Sequence, residues 1–363
     1  MLALTIKFHV IMKHFLFGIT IMCFFLLCSC TEKKTKLSTV SIDLNNCKPI
    51  DIHSSSCKEK IVLETTKESL LSNIKNIFIK GDTMLIFSVG KVSAFDNKGS
   101  FLFNIGAKGR AENEYISLKS FFIKKGIFYL HDWDNRKLLK FSSNNNFIEK
   151  IDLEKDGWMP DFIFPFKDSL YVVKNTYGGE QTKVPLISIY DNNFKILSSS
   201  TKILKNGSSL SDLFFPYKNE VLYWEILCDT IYSISQRAEI VPKYFVDFGS
   251  NRVPDTINGS DDLYTRIEYI NRPENKDRYA IMAGNVREDD KYLYFSFVYG
   301  YGVIHIARYN KEKNKTDLFR LINSENGKNI TFTYMTVLNG DVIIATEADS
   351  NNEDNPVLYR ITL

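Results

Sequence analysis

Histidine is scarce in this sequence, and apolar runs long enough to span a bilayer are missing. So are long capped stretches with a helical apolar period, and there is almost no excess of charge of either sign. Only five histidines occur in 363 residues. His53, His131 and His305 are the ones beyond Cys30, and no CxxC pair accompanies them, so a zinc site built from Cys and His is not expected. Lys and Arg total 46 against 43 Asp and Glu. Lys7 and Lys13 are the only charges ahead of Cys30, so a chain cut there carries 44 positives and 43 negatives. That near-balance argues against long-range steering toward nucleic acid. The tight basic group Lys33, Lys34 and Lys36 has no interleaved aromatics. No GxSxG, HExxH, Walker or dinucleotide-binding pattern occurs, so no catalytic residue, metal or cofactor is assigned.

What is present at the N-terminus reads as an address. Residues 15 to 27, FLFGITIMCFFLL, follow Lys13 and His14 and are almost wholly apolar. The run falls short of the roughly 20 residues a spanning helix needs and fits the hydrophobic region of an export signal over residues 1–29. Leu27-Cys28-Ser29-Cys30 resembles a bacterial lipoprotein box, which makes Cys30 the lipidation candidate. Acyl chains there would bind membrane lipid stably. Thr31 follows where an aspartate would signal inner-membrane retention, so the resemblance implies the outer membrane. Glu32 stands among three lysines, which slightly favours the periplasmic face over the cell surface. Residues 30–60 are then tether and lead-in. Cys47 and Cys57 would either close a small loop in an oxidising compartment or stay unpaired. Cys228 reads as a small buried hydrophobe.

From about residue 61 the text is short strands broken by polar turns. IVLETT, NIFIK, TMLIFSV, KVSAFD and FLFNIG follow one another, each rich in β-branched or aromatic side chains. The turns at Lys80-Gly81-Asp82 and Asp96-Asn97-Lys98-Gly99 separate them. KVSAFDNKGSFLFNIG (91–106) is echoed by KLLKFSSNNNFIEKIDL (137–153) and more loosely by PLISIYDNNFKILSSST (185–201). Each echo has a further apolar pair before it, which makes a four-stranded antiparallel unit. Such units must stack to bury both faces, and radial stacking gives a propeller. The reading is an all-β six-bladed β-propeller over residues 61–363. Its blades fall near 72–106, 116–153, 160–200, 210–248, 264–320 and 330–363, with an insertion over 272–291. The segment at Ile61 to Thr65 is expected to supply the outer strand of the last blade and close the ring.

The chain also resembles the six-bladed propeller lipoproteins of Bacteroidetes, akin to NHL-repeat and TolB-like propellers. The likeness rests on Phe103 to Tyr115 (FNIGAKGRAENEY), on Asp229-Thr-Ile-Tyr232 followed by Pro242 to Gly249, and on Asn355-Pro-Val-Leu358. The family's Gly-Pro-Gly-Glu-Tyr-like segment is reduced here to Arg110-Ala111-Glu112-Asn113-Glu114-Tyr115. The resemblance implies an exported binding protein and carries no catalytic set.

Two acidic loops, HDWDN at 131–135 and Asp349 to Pro356, offer oxygens at partial cation-loop spacing. Solvated turns are the simpler reading of both. Candidates for a binding rim are Arg266, Glu268, Arg272 and Arg278 around the insertion, with Tyr301 in a Gly-Tyr-Gly turn and Tyr217. The expected function is recognition of a partner protein, such as an outer-membrane transporter, or of a small ligand, through loops on a rigid scaffold. The alternative is a glycan or peptide lyase or hydrolase with a carboxylate-lined channel.

Overall fold

A computed structural model describes residues 37–153, 158–167, 169–177, 184–203, 214–218, 220–258, 263–346 and 354–363. The export signal, Cys30, the three tether lysines and residues 349–353 of the acidic loop lie outside the described residues.

Strand alternation and turn chemistry build six antiparallel blades. Blade 1 is Ile74–Lys80, Thr83–Ser88, Lys91–Asp96 and Phe101–Asn104, and blade 2 is Leu118–Lys124, Ile127–Asp132, Lys137–Phe141 and Phe147–Asp152. Blade 3 is Trp158–Phe166, Leu170–Tyr177, Ile187–Asp191 and Ile196–Ser199. Blade 4 is Phe214–Tyr217, Glu220–Trp224, Thr230–Ile234 and Ile240–Asp247. Blade 5 is Ile281–Glu288, Tyr292–Tyr299, Val303–Asn310 and Lys315–Asn323. Blade 6 takes Phe332–Leu338, Asp341–Thr346 and Val357–Ile361 from the C-terminus and completes itself with Cys57–Val62. The ring closes as the segment before residue 65 suggested. Gly99 marks the seam between the last blade and the first: a Cβ there would stand 2.2 Å from the Val62 carbonyl oxygen, and its φ is +92°. Only glycine tolerates both conditions.

The stretch between the tether and residue 61, read as lead-in, is also in strands. Ser38–Ser41 pairs in parallel with the outer strand of blade 4, and Cys47–Asp51 pairs in parallel with the outer strand of blade 5. The N-terminal segment thus runs along blades 4, 5 and 6 in turn and covers edges that would otherwise be open. Cys47 faces Leu318 and Cys57 faces Ile361 on separate blades, and both are free thiols.

The insertion sits earlier than its sequence boundaries. Residues 281–288, read as part of it, form the first strand of blade 5, whereas Leu263–Asn271, where that blade was expected to begin, is a helix. Leu263, Ile267 and Ile270 recur at helical spacing there, which explains the exchange.

Packing between blades supplies the core. Leu293, Phe295 and Phe297 face blade 4, while Tyr294 and Ile306 face blade 6, as strict alternation along Tyr292–Tyr299 requires. Phe122, Tyr129 and Tyr171 join blades 2 and 3, with Phe122 and Tyr129 stacked at 4.8 Å. Burying one such ring is worth about 3–5 kcal/mol against alanine. First strands touch across four of the six blade junctions, so they line the central channel.

Candidate functional site

In five of the six first strands the ladder to the second strand slips by at least one residue. Such bulges re-aim side chains. The skipped residues include Lys75 in blade 1, Lys119 in blade 2 and Asp161 in blade 3. In blade 5 the ladder slips twice, around Gly284 and again before Arg287. Gly284 adopts φ +90°, and a Cβ there would press on the Trp224 ring at 3.0 Å. Asn285 braces the irregular segment by donating to Ser296 Oγ at 3.0 Å and accepting from the Met335 amide at 3.0 Å.

These strands enclose a cavity of about 390 Å³ at the channel end where each first strand turns back into its second. Phe78, Phe164, Phe214, Phe215, Pro216 and Val337 give it apolar walls drawn from blades 1, 3, 4 and 6. The polar groups are Lys75, Asn76, Arg287 and Thr336, with Glu288 and Asp289 beside them. A volume in the hundreds of cubic ångströms with few convergent polar groups is the usual form of a small-ligand site.

Arg287 is the centre of that polar set. Its Nε donates to Thr336 Oγ1 at 3.0 Å, one Nη to the Val286 carbonyl at 2.8 Å, and the other Nη to Tyr334 Oη at 2.9 Å. The guanidinium stands over the rings of Phe215 and Tyr334 at 5.2 and 5.4 Å. Tyr334 in turn donates to Asn76 Oδ1 at 2.6 Å and accepts from the Ile77 amide at 3.1 Å. Blades 1, 5 and 6 thereby hold one cation in place. Among the described residues no carboxylate pairs with it.

The adjacent Glu288 is committed to the fold. Its side chain is 1% exposed and lies 3.0 Å from both Lys243 Nζ and Lys311 Nζ. Tyr244 Oη donates to it at 2.7 Å. Burial, with the Glu288 charge adding to it, raises the Tyr244 phenol far above its ordinary range, so that phenol stays protonated and donates. Tyr217 sits over the same network, its ring 4.8 Å from Lys243 Nζ and 4.6 Å from Lys311 Nζ.

The other rim candidates stand at the opposite end of the blades. Glu268 and Arg272 pair at 3.7 Å on and just after helix Leu263–Asn271, which also carries Arg266. Arg278 lies over Tyr279 at 5.3 Å. Tyr301, 85% exposed, has its amide bonded to Asp277 Oδ1 at 2.9 Å. These five belong to the insertion and the neighbouring second-to-third strand turn of blade 5, so Tyr217 is separate from them. Arg287, Asn76, Thr336 and Tyr334 were not among the candidates. Arg287 stands in VREDDK, which reads as a surface hairpin, although an arginine closing an alternating strand was the available signal.

Described residues of the two acidic loops serve the fold. Asp132 is fully buried and accepts the amides of Ile116 and Ser117 at 3.1 and 3.0 Å and Asn135 Nδ2 at 2.6 Å. It is a buried turn anchor, not a solvated residue. Asn355 donates to the Glu64 carbonyl at 2.7 Å and accepts the Leu71 amide at 2.6 Å, latching the seam of the ring. The shortened Arg110–Tyr115 segment is tied down by Lys137 Nζ, which donates to the Glu112 and Glu114 carbonyls at 3.2 and 2.7 Å.

A propeller whose first strands shape a small cavity is a scaffold class, and comparison with known proteins makes it specific. Residues 39–361 match the domain of unknown function DUF4934, and the chain belongs to that family. A structure from Bacteroides fragilis NCTC 9343, of a protein named as exported, is similar at 17% identity and a TM-score of 0.67, covering 90% of this chain and 99% of that one. A DUF4221 family member from Bacteroides vulgatus is similar at 9% identity and a TM-score of 0.55, covering 84% of this chain and 97% of that one. At these identities the likeness establishes the propeller fold. No curated protein matches the sequence.

Proposed function

We propose that this protein is an exported, lipid-anchored binding protein that holds a small ligand at the channel mouth, with Cys30 as the acylated residue. The observation that carries the reading is the cavity itself, in which four blades place apolar walls around an ordered guanidinium from a fifth that has no carboxylate partner among the described residues. The lipoprotein-like Leu27 to Cys30 and the exported protein among the structural neighbours support an envelope location. The carboxylates at this mouth favour binding over hydrolysis or elimination. Glu288 is held by two lysines and a tyrosine, and Asp289 accepts from the Lys291 and Tyr292 amides at 2.8 and 2.6 Å. Neither is placed as a general acid or base.

Ligand-observed NMR of the purified chain against a library of small amphipathic metabolites tests the reading. Hits should disappear with Pro216→Trp, which fills the mouth from an exposed position. Hits that persist in that variant place binding elsewhere, on the rim around Arg272 and Tyr301 or beyond it.

A further inference from the structure

Independently of the channel mouth, we infer that the seam of the ring is a second binding site, which takes the aliphatic chain of an amphiphile and leaves its polar head in water. A cavity of about 300 Å³ lies between blades 6 and 1, beside the mouth and divided from it by strand alternation. Phe78 and Val337 line the mouth, and the next residues along the same strands, Ile79 and Leu338, line the seam cavity. Ile343 and Leu358 of blade 6, Met84 of blade 1 and Ile61 of the closing strand complete its walls. Leu358, Met84 and Ile343 are 0%, 4% and 6% exposed, so the floor is interior. The border is at hairpin turns, where Gly81, Asp82 and Asn97 are exposed.

The wall chemistry selects the guest. Ring pairs bridge four of the other five junctions, among them Phe78–Phe121 at 5.2 Å, Phe122–Tyr171 at 5.8 Å, Phe162–Phe214 at 5.9 Å and Tyr244–Tyr309 at 6.4 Å. None bridges the seam among the described residues. Ile79 and Met84 stand opposite each other in the blade 1 ladder, and these slimmer side chains leave the gap open. Tyr359, the one aromatic residue on the lining, packs in the cluster shared with blade 5. The cavity therefore offers an aromatic guest no ring edge or face, while Met84 adapts to a flexible chain. An interior of this kind stays dry and takes apolar guests. Polar groups stand at the border and are solvated or already engaged. Asp82 accepts from Asn97 Nδ2 at 3.3 Å, Arg360 donates to Asp341 Oδ2 at 2.9 Å, and Glu59 is exposed. A ligand's head there keeps its contact with water, and its chain alone is buried.

Calorimetric titration of the purified chain with n-hexanol, n-octanol and octyl glucoside tests this. n-Octanol should saturate the protein and bind roughly fifteenfold more tightly than n-hexanol, two methylenes at about fourfold each. Octyl glucoside should bind within a few-fold of n-octanol, because its head stays outside. Leu338→Trp and Ile79→Phe fill the cavity from half-buried positions on blades 6 and 1, and each should abolish saturation; either variant that folds reads the site. Pro216→Trp, which fills the channel mouth, should leave it unchanged. Equal affinities for n-hexanol and n-octanol would overturn the alkyl-chain assignment, and exclusion of octyl glucoside would overturn the placement of the head in water. Loss in Pro216→Trp with retention in the seam variants would move the chain to the mouth and overturn the seam site. Absence of saturation by n-octanol up to its solubility would overturn the inference and leave the channel-mouth reading standing.

Discussion

The two ends of the channel both carry cations on bulged first strands, and they use them differently. Toward the end where strands cross from blade to blade, Asp161 lies between Lys119 Nζ at 3.2 Å and Lys174 Nζ at 3.3 Å. The Asp161 and Lys174 side chains are 5% and 1% exposed. Burial lowers the Lys174 pKa, and the Asp161 charge opposes that fall. At the hairpin end Arg287 is equally well ordered, yet its bonds go to a hydroxyl, a carbonyl and a phenol. A buried charge with a charged partner is part of the fold, because removing either member strands the other. A half-buried cation positioned by neutral groups keeps its charge available. The contrast distinguishes charge bound into the fold from the charge proposed here to serve recognition.

The comparison breaks most visibly at Asp161. Asp161→Ala takes from Lys174 its buried carboxylate, and the expected cost is about 3–5 kcal/mol, read as a large fall in the urea midpoint. Ligand affinity at the hairpin end should not change. Next is Glu288→Gln, which removes the charge facing Lys243 and Lys311 and should cost about 2–3 kcal/mol. If that variant instead abolished binding at unchanged stability, Glu288 would belong to the site and not to the scaffold.

His131 tests the same crossover end by pH. It is 1% exposed, and burial lowers its pKa to about 4, with Asp161 and Asp132 opposing the fall. The unfolded chain takes up a proton below about 6.5 that the folded chain refuses until about 4. Stability should therefore fall as pH drops through that window, by about 1.5–2 kcal/mol at pH 5. His131→Gln should flatten that limb relative to wild type, as measured by denaturant titration at neutral pH and at pH 5. An unchanged slope would mean the imidazole is not buried neutral.

The ring was legible because its units are local. Alternation such as Leu293, Phe295 and Phe297 on one face, with turns such as Asp96–Gly99, is visible within a window of twenty residues. The closing strand was visible too, as an apolar segment with no blade of its own. The two parallel outer strands were not. Ser38–Ser41 and Cys47–Asp51 hold few strand-favouring residues, and they pair with segments more than 200 positions away. The helix was missed because Leu263–Asn271 carries aromatic and β-branched residues that read equally as a strand. The channel mouth was missed for a different reason. Arg287, Tyr334 and Asn76 meet only when blades 5, 6 and 1 are stacked, and a bulge with no simple sequence signature aims the first of them.

Arg287→Met is the finest test of the contrast, because its predicted effect on stability is the smallest. Methionine keeps apolar contact with the Phe215 ring. Thr336 is half-buried at the cavity border and can turn its hydroxyl to water, while Tyr334 keeps its bond to Asn76. The expected loss is no more than about 1 kcal/mol, against several times that for Asp161→Ala at the other end of a first strand in another blade. A loss of comparable size at both sites would place Arg287 among the residues that hold the ring together. The lack of a carboxylate partner for it among the described residues would then say nothing about a ligand. A small loss, with the ligand hits of the wild type gone, would show that the Arg287 charge serves recognition at the mouth and not the stability of the ring.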